Sequence, residues 1–556
     1  GLINGQLRVF ENSGNLVILD STATGEGETY TSGKITGGAS FSSYSGGRIE
    51  ANGGNIYNYA GATFNLYSGM IHGGIATTAG QYRSVSFGGN IYGEAGSTIN
   101  IKGGKVTAGV VTKNGSRTNE HIGGGNIASD GIVNISGGEV SDGYVYFHLS
   151  TDRINRQTLL SGGNILVRDG AVLTISGGTV SGGKIEGSYS STGATAKGKG
   201  FSEAFGGNIR GMEGSTINIS GGVVTGGSCK METYGTATGT TTPSDSRPQG
   251  GNIYVDGTLS ITGGTISDGR VFGAAGVHAN NTSSGKATLS TYGGNVYISS
   301  TGAVTMTSGT VSGGRVEKNS VEGHKTEGFG GNFAVIGGTL EITGGTVETG
   351  YAYYRGGNIS IHTEDDKTGT VTVGGNAVIQ NGITEPETTG SRGTEAAVIG
   401  TNCLLTINGN AQFLNDGAKT DSGYRSTVYA ITNGDIVVNG GKVEGSICAA
   451  GTEANNKASL TINGGEFDLI ERSSLIPAEN IKIGSGVSFL SVSHWTDIDG
   501  EATTKDAETA RHTIYATLGD ALAAVEAGDK ETATKLFPET VSVIDGAVTK
   551  GVIHKN

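Results

Sequence analysis

The sequence predicts an all-β chain: a parallel β-helix solenoid of about twelve coils with a small α+β module at its C-terminal end. Three observations carry that expectation. Gly-Gly-Asn followed by Ile, Val or Phe occurs nine times, with the asparagines at Asn55, Asn90, Asn126, Asn164, Asn208, Asn252, Asn295, Asn332 and Asn358. The steps between them are 35, 36, 38, 44, 44, 43, 37 and 26 residues, a fixed motif with variable padding. A second motif of alternating apolar and polar residues travels with the first, and no helix-period pattern separates them.

The N-terminal segment 1–35 precedes the first clean repeat and is expected to form a cap. The repeats then run over 36–487. Their second motif reads Thr98-Ile-Asn-Ile-Lys-Gly-Gly, Val172-Leu-Thr-Ile-Ser-Gly-Gly, Thr216-Ile-Asn-Ile-Ser-Gly-Gly and Thr339-Leu-Glu-Ile-Thr-Gly-Gly, with looser copies at Leu404, Asp435 and Ser459. Alternation of this kind is the period of a strand with one buried face. A second short alternation follows the glycines (Thr179-Val-Ser), and a third strand opens at Gly-Gly-Asn itself (Asn252-Ile-Tyr-Val). Three short strands joined by glycine turns make a coil of roughly 22 residues, stacked at about 4.8 Å on its neighbours into a rod of roughly 55–60 Å. Pairs such as Ile99/Ile101, Leu173/Ile175, Ile217/Ile219 and Leu340/Ile342 should line the axis.

The asparagine column reads as a structural ladder, each amide bonding the next. The extra length of each repeat falls just before Gly-Gly-Asn, in 187–205, 228–249, 273–292 and 317–329, often with Phe87, Leu160, Phe205, Tyr292, Phe329 or Tyr354 beside the glycines. Inserts at a constant phase leave one edge of a solenoid, the default interaction surface. Beyond 487 the pattern stops. Residues 488–556 read as an α+β capping or docking module, with Trp495, a helix over Leu518–Ala527 and strands near His512–Ala516 and Thr540–Ile544.

Composition narrows the function classes. Glycine is 103 of 556 residues against 5 prolines, which excludes collagen. A net charge of −13 without basic clusters argues against a nucleic-acid partner. Cys229, Cys403 and Cys448 follow no metal-ligand spacing, and no cofactor motif is present. No apolar run is long enough to span a membrane as a helix, and a chain opening at Gly1 without a signal peptide reads as a processed product or a fragment.

Catalytic chemistry on a β-helix needs clustered carboxylates. The outward positions of the best strand are Asn100, Asn134, Thr174, Asn218, Ser260, Thr305, Glu341, Thr372 and Thr406, so only one is acidic. Glu341 with Glu348 and Glu317 is the best acid group, and it reads foremost as a solvated surface cluster. Asp497-Ile-Asp499-Gly is too short for a calcium loop, and Glu364-Asp365-Asp366 reads as a loop tip.

Together, Gly-Gly-Asn-Ile and Thr-Ile-Asn-Ile-Ser-Gly-Gly resemble the right-handed parallel β-helix repeats of large bacterial surface proteins, the pectin-lyase-like adhesins and autotransporter passengers, over roughly 35–487. Tyr515-Ala-Thr-Leu-Gly-Asp-Ala-Leu-Ala-Ala-Val is similar to a short module of secreted proteins from anaerobic Gram-positive bacteria. The resemblance implies a right-handed fold and an extracellular or cell-surface setting, and carries no catalytic residue. The expected function is that of a non-enzymatic structural protein, a surface adhesin or a self-assembling fibre subunit. Its expected partners are further copies, through the coil ends and terminal module, with glycans or a host or bacterial surface as the second class. A carbohydrate-active β-helix enzyme (polysaccharide lyase or glycosidase) or a glycan-binding protein is the alternative.

Overall fold

Each Gly-Gly-Asn turns a corner into a short strand whose first residue is buried, as in Ile91–Gly93, Ile165–Val167 and Ile253–Val255. The computed structural model describes residues 3–20, 33–44, 49–80, 84–114, 120–150, 157–191, 201–235, 247–275, 288–317 and 325–489, apart from 365, 386–392, 416–418, 421–422, 425, 452–456 and 473–479. Beyond 489 it describes Val492–Thr496, Arg511–Tyr515, Ser542–Ile544, Ala547–Thr549 and Ile553–His554. The chain divides into two compact units, Gly1–Ala334 with Gly350–Tyr353, and Val335–Thr349 with Tyr354–Asn556.

In the first unit a repeat is longer than three strands. Taking 90–126 as the example, the corner strand Ile91–Gly93 is followed by Thr98–Ile101 and Lys105–Thr107, which close the body of the coil. The chain then leaves along Val110–Asn114 and returns along Glu120–Gly123 to the next corner. All five strands pair in parallel, residue for residue, with their counterparts one repeat on: Ile91 with Ile127, Ile99 with Val133, Val106 with Val140, Val110 with Tyr144 and His121 with Leu159. The second strand forms eight successive levels in this unit, from Asn15–Ile18 to Ala303–Ser312.

Two apolar cores result. The body is filled by columns, among them Ile56, Ile91, Ile127, Ile165, Ile209 and Ile253, with Ile99/Ile101, Leu173/Ile175 and Ile217/Ile219 on the next strand, all essentially without solvent contact. The second core was not legible as such. Val111, Val145, Phe147, Ile185, Cys229 and Met231 of the outgoing strands meet Ile122, Leu160 and Ala204 of the returning ones. What read as inserts is therefore largely a two-sheeted lobe: 187–205 contains parts of Lys184–Ser191 and Phe201–Phe205, and 228–249 contains Ser228–Gly235 and Arg247–Gln249. The tips between these strands, such as 192–200 and 236–246, lie outside the described residues.

The N-terminal segment already belongs to the stack. Phe10–Asn12, Asn15–Ile18 and Lys34–Thr36 pair in parallel with the next repeat, while Ile3–Leu7 lies antiparallel on Ala39–Tyr44.

In the second unit the second strand forms six levels, from Thr339–Ile342 to Ile481–Phe489. Leu340/Ile342, Val371/Val373, Leu405/Ile407, Ile436/Val438 and Leu460/Ile462 form its inner columns. Of the terminal module, Trp495 lies on Val492–Thr496, antiparallel to Arg511–Tyr515, and Ser542–Ile544 pairs with Ala547–Thr549. The helix expected over Leu518–Ala527 and the Asp497-Ile-Asp499-Gly stretch lie outside the described residues.

Two glycine types hold the corner between body and lobe. The first has a positive φ, as Gly226 does at 64°, and Ala108, Asp142 and Asp268 fill the same place in other repeats. The second, Gly227, needs space rather than conformation: an added Cβ would stand 2.4 Å from the Gly251 carbonyl oxygen and 2.8 Å from the Asn208 amide nitrogen. Gly227→Ala should thus lower stability by more than about 2 kcal/mol, and Gly226→Asn by well under 1 kcal/mol. Thermal unfolding of the two variants side by side tests this, and equal losses would refute the distinction.

Candidate functional site

The nine asparagines are the first candidates. Asn55, Asn90, Asn126, Asn164, Asn208, Asn252, Asn295 and Asn332 form one column in the first unit, each fully buried. The Asn90 amide donates to Thr107 O at 2.8 Å and to Asn126 Oδ1 at 2.7 Å, and its Oδ1 accepts from Asn55 Nδ2 at 2.7 Å and Gly74 N–H at 2.8 Å. All four hydrogen-bonding positions of the amide are used, so this rung presents nothing to a ligand. The same set recurs at Asn126, Asn164, Asn208 and Asn252.

In the second unit Asn358 donates to Gln380 O at 2.8 Å, as its counterparts do to the same carbonyl position. Its other donor bond goes to a carboxylate. Glu395 occupies the next rung, accepting from Asn358 Nδ2 at 2.5 Å and from Gly382 N–H at 2.9 Å. Ile359 pairs with Ala396 there, so Gly393-Thr394-Glu395-Ala396 stands where Gly-Gly-Asn-Ile would be. Glu395 is fully buried, and burial pushes its carboxyl up to about 8 although both bonds favour the charged form. A pattern keyed to Asn cannot find it; the Gly before it and the apolar residue after it are the remaining signals.

Further amide ladders run outside the core. Asn134 donates to Asn100 (2.9 Å), Asn100 to Asn65 (3.0 Å) and Asn65 to Asn15 (3.1 Å) along the outer face of the second strand. Asn463 donates to Asn439 (2.7 Å) and Asn439 to Asn408 (2.8 Å) at a turn of the second unit.

The richest side-chain chemistry lies where the lobe meets the corner strand of the first unit. Two residues past each ladder Asn, the outer face carries Tyr57, Tyr92, Ala128, Leu166, Arg210, Tyr254 and Tyr297. Facing them from the returning strand are Phe87, Phe205 and Tyr292. Leu160, one residue out of phase with these, points into the lobe core instead, since a one-residue shift reverses the face of a strand. Tyr57 donates to Glu94 and Tyr92 to Asp130, each at 2.5 Å. Burial, followed by the hydrogen bonds to those carboxylates, holds both phenols well above their ordinary range. Arg168 reaches back over Ala128 to Asp130 (2.9 Å) and Tyr92 (3.1 Å), with its guanidinium 4.4 Å from the Phe87 ring. Arg210 lies 4.1 Å from the Phe205 ring and bonds Asp256 (3.1 Å) and Ser161 (2.6 Å). The carboxylates of this trough are engaged by Tyr and Arg.

The three members of the acid group fall in two units. Glu317, in the first unit, pairs with Arg270 (3.4 Å) and Arg315 (3.7 Å). Glu348, in the second, accepts from Gln380 at 2.7 Å, and Glu341 stands exposed on its strand. Cys229, Cys403 and Cys448 are buried thiols, and burial pushes those of Cys229 and Cys403 upward. Among the described residues no group of three or more His, Cys, Asp or Glu is placed to hold a metal ion.

Comparison with known proteins gives short matches. The family Ribosomal protein S20 matches residues 501–556. Small ribosomal subunit protein bS20 of Photobacterium profundum is 57% identical over 35 residues, 6% of this chain and 41% of that protein. Its counterpart in Vibrio parahaemolyticus is 54% identical over the same extent. The chain thus spans about two fifths of the length of these curated relatives. No solved structure matches. The family match falls where the sequence resembled a module of secreted proteins, and the likeness found there is to S20.

Proposed function

We propose that the protein is a non-enzymatic structural protein of the bacterial exterior, a surface adhesin or the subunit of a self-assembling fibre. One observation carries this reading: a fully bonded amide ladder locks parallel strands in register over repeat after repeat of the first unit. Such a stack is a stiff scaffold for displaying or linking something else. Filaments or defined oligomers seen by light scattering and negative-stain microscopy across protein concentrations would support it. Release of unsaturated or reducing sugars from pectins, host glycans or bacterial polysaccharides, abolished by Glu341→Gln, would overturn it in favour of an enzyme.

A second reading, glycan binding without turnover, is favoured by the trough of tyrosines, carboxylates and arginines beside the lobe. It predicts glycan-array signals lost on Arg168→Ala while the fold is retained. The S20-like segment, with nine acidic residues against six Lys and Arg in 501–556, has no cationic excess for a phosphate backbone, so RNA binding is not part of the proposal.

A further inference from the structure

An asparagine followed by glycine sets a side-chain amide and an unhindered backbone nitrogen across a five-membered ring, so the two can react without a second molecule. Three such pairs stack in the second unit. Asn408-Gly409, Asn439-Gly440 and Asn463-Gly464 each follow the second strand, one residue past the registered Ile407, Val438 and Ile462. The same turn in the first unit carries Lys102, Ser136, Ser176, Ser220 and Thr262 instead. Asn439 and Asn463 are exposed, and Asn408 is half-buried beside an exposed Gly409.

What separates the Asn-Gly pairs is how their atoms are engaged. At Asn52-Gly53, Asn381-Gly382 and Asn433-Gly434 the glycine N–H is held, by Phe87 O (3.0 Å), the Glu395 carboxylate (2.9 Å) and Ile431 O (3.2 Å). The N–H groups of Gly409 and Gly440 have no partner among the described residues. Asn408 Oδ1 accepts from Asn439 Nδ2 at 2.8 Å, and Asn439 Oδ1 from Asn463 Nδ2 at 2.7 Å. A donor on that oxygen stabilises the oxyanion that forms when a nitrogen attacks the amide carbon. Those same bonds tie down the nitrogens that Asn439 and Asn463 would have to release. Asn408 differs, because the ladder ends beneath it. Val373 pairs with Ile407, so the residue below Asn408 is Gly374, which offers its Nδ2 no side chain.

We propose that Asn408 is a site of spontaneous self-modification, in which the Gly409 nitrogen attacks Asn408 Cγ and the side chain ends as a carboxylate. The attacking nitrogen gives its proton to hydroxide, the Cγ–Nδ2 bond breaks, and ammonia leaves. Water then opens the cyclic imide to aspartate or isoaspartate, so one water is consumed for each ammonia released and no electrons are exchanged. An aspartate at this rung still accepts from Asn439, and the turn gains a charge without losing the bond. Isoaspartate instead lengthens the main chain inside the turn that Ala411 N–H closes on Asn408 O at 3.3 Å.

The test is peptide mapping by mass spectrometry of the folded 556-residue chain, held at neutral and at mildly alkaline pH. Conversion is expected first at Asn408 and faster at the higher pH, with Asn439 and Asn463 slower by roughly threefold or more. Two substitutions leave Asn408 and Gly409 in place and separate activation from a loosened turn. Asn439→Ala removes the donor on Asn408 Oδ1 and should slow conversion at Asn408 by about threefold or more, whereas loosening alone would speed it. Gly374→Asn adds an acceptor below Asn408 Nδ2 and should also slow it. Gly374 has no left-handed φ, and an added Cβ would stand 3.5 Å from Asn408 Cβ, an ordinary contact. Unchanged thermal unfolding of both variants would show that the rates report on the intact fold. Three results overturn the proposal: earlier conversion at Asn439 or Asn463, a rate at Asn408 that Asn439→Ala leaves unchanged or raises, or an Asn408 that persists in the folded chain while the urea-unfolded chain converts there.

Discussion

Replacing Glu395 by Gln is expected to flatten the pH dependence of the second unit's stability and to raise its unfolding temperature by several degrees above pH 8. The carboxyl sits at a ladder rung with no solvent contact, and burial lifts it from 4.5 to about 8. A group raised in the folded state binds its proton more tightly there than in the unfolded chain. Its contribution is therefore complete below pH 4.5, declines as pH rises, and is lost once pH passes about 8. Within that window the slope is about 1.4 kcal/mol per pH unit, for a total on the order of a few kcal/mol. Gln cannot ionise, and its one amide oxygen, placed at Oε2, keeps the Asn358 bond and the longer 3.2 Å bond from Gly382 N–H. Parent and variant should unfold together at pH 4.5 and part at pH 8.5. Because two units are present, each transition should be followed separately by calorimetry. A parent whose second-unit transition does not move between these pH values would contradict the argument.

The body of the solenoid was legible because one constraint repeats at every level. A corner that must seat a buried amide admits little but Gly-Gly-Asn, and a strand facing a shared core must alternate, so both patterns recur in the chain. The lobe has no such common demand. Its core accepts Ala76, Val111, Phe147, Leu160 or Met231 in different repeats, since two sheets of varying length can pack by total volume rather than by identity. Phe87 and Leu160 looked equivalent in sequence, and a one-residue difference sends them to opposite faces. Glu395 was hidden for another reason: the site demands an acceptor at that rung, which a carboxyl supplies as well as an amide, and only the bond to Asn358 shows the equivalence. The trough of Tyr92, Asp130 and Arg168 spans three repeats, and no linear motif joins residues so far apart.

Breaking the ladder in its middle should have the largest effect of any single substitution in the first unit. Asn208, itself fully buried, donates to Thr225 O and Asn252 Oδ1 and accepts from Asn164 Nδ2 and Gly183 N–H, all at 2.7–2.8 Å. In Asn208→Ala the Gly183 N–H and one Asn164 N–H lose their acceptor. Thr225 O still receives the Gly182 N–H, and Asn252 Oδ1 still receives the Gly227 N–H. Two orphaned buried donors, at about 1–3 kcal/mol each, with the void left by the side chain, predict a loss of about 4 kcal/mol or more. Asn208→Asp separates shape from donor capacity. Its carboxylate could accept from Asn164 and Gly183, but it would turn an unprotonated oxygen toward Asn252 Oδ1, so it should be damaging at neutral pH and recover partly in acid. Glu395 escapes that conflict because the rung after it is Thr427, whose hydroxyl is turned to Glu444 O, and not another amide oxygen. Asn55 should be far more forgiving, since the rung below it is Val9 and its Oδ1 accepts from Gly38 N–H without an amide beneath. Calorimetric unfolding of the variants at Asn55 and Asn208 at pH 5 and pH 7.5 tests the order. Equal losses at the two positions would mean that the amides act singly, and the ladder would then be a row of independent bonds rather than a coupled spine.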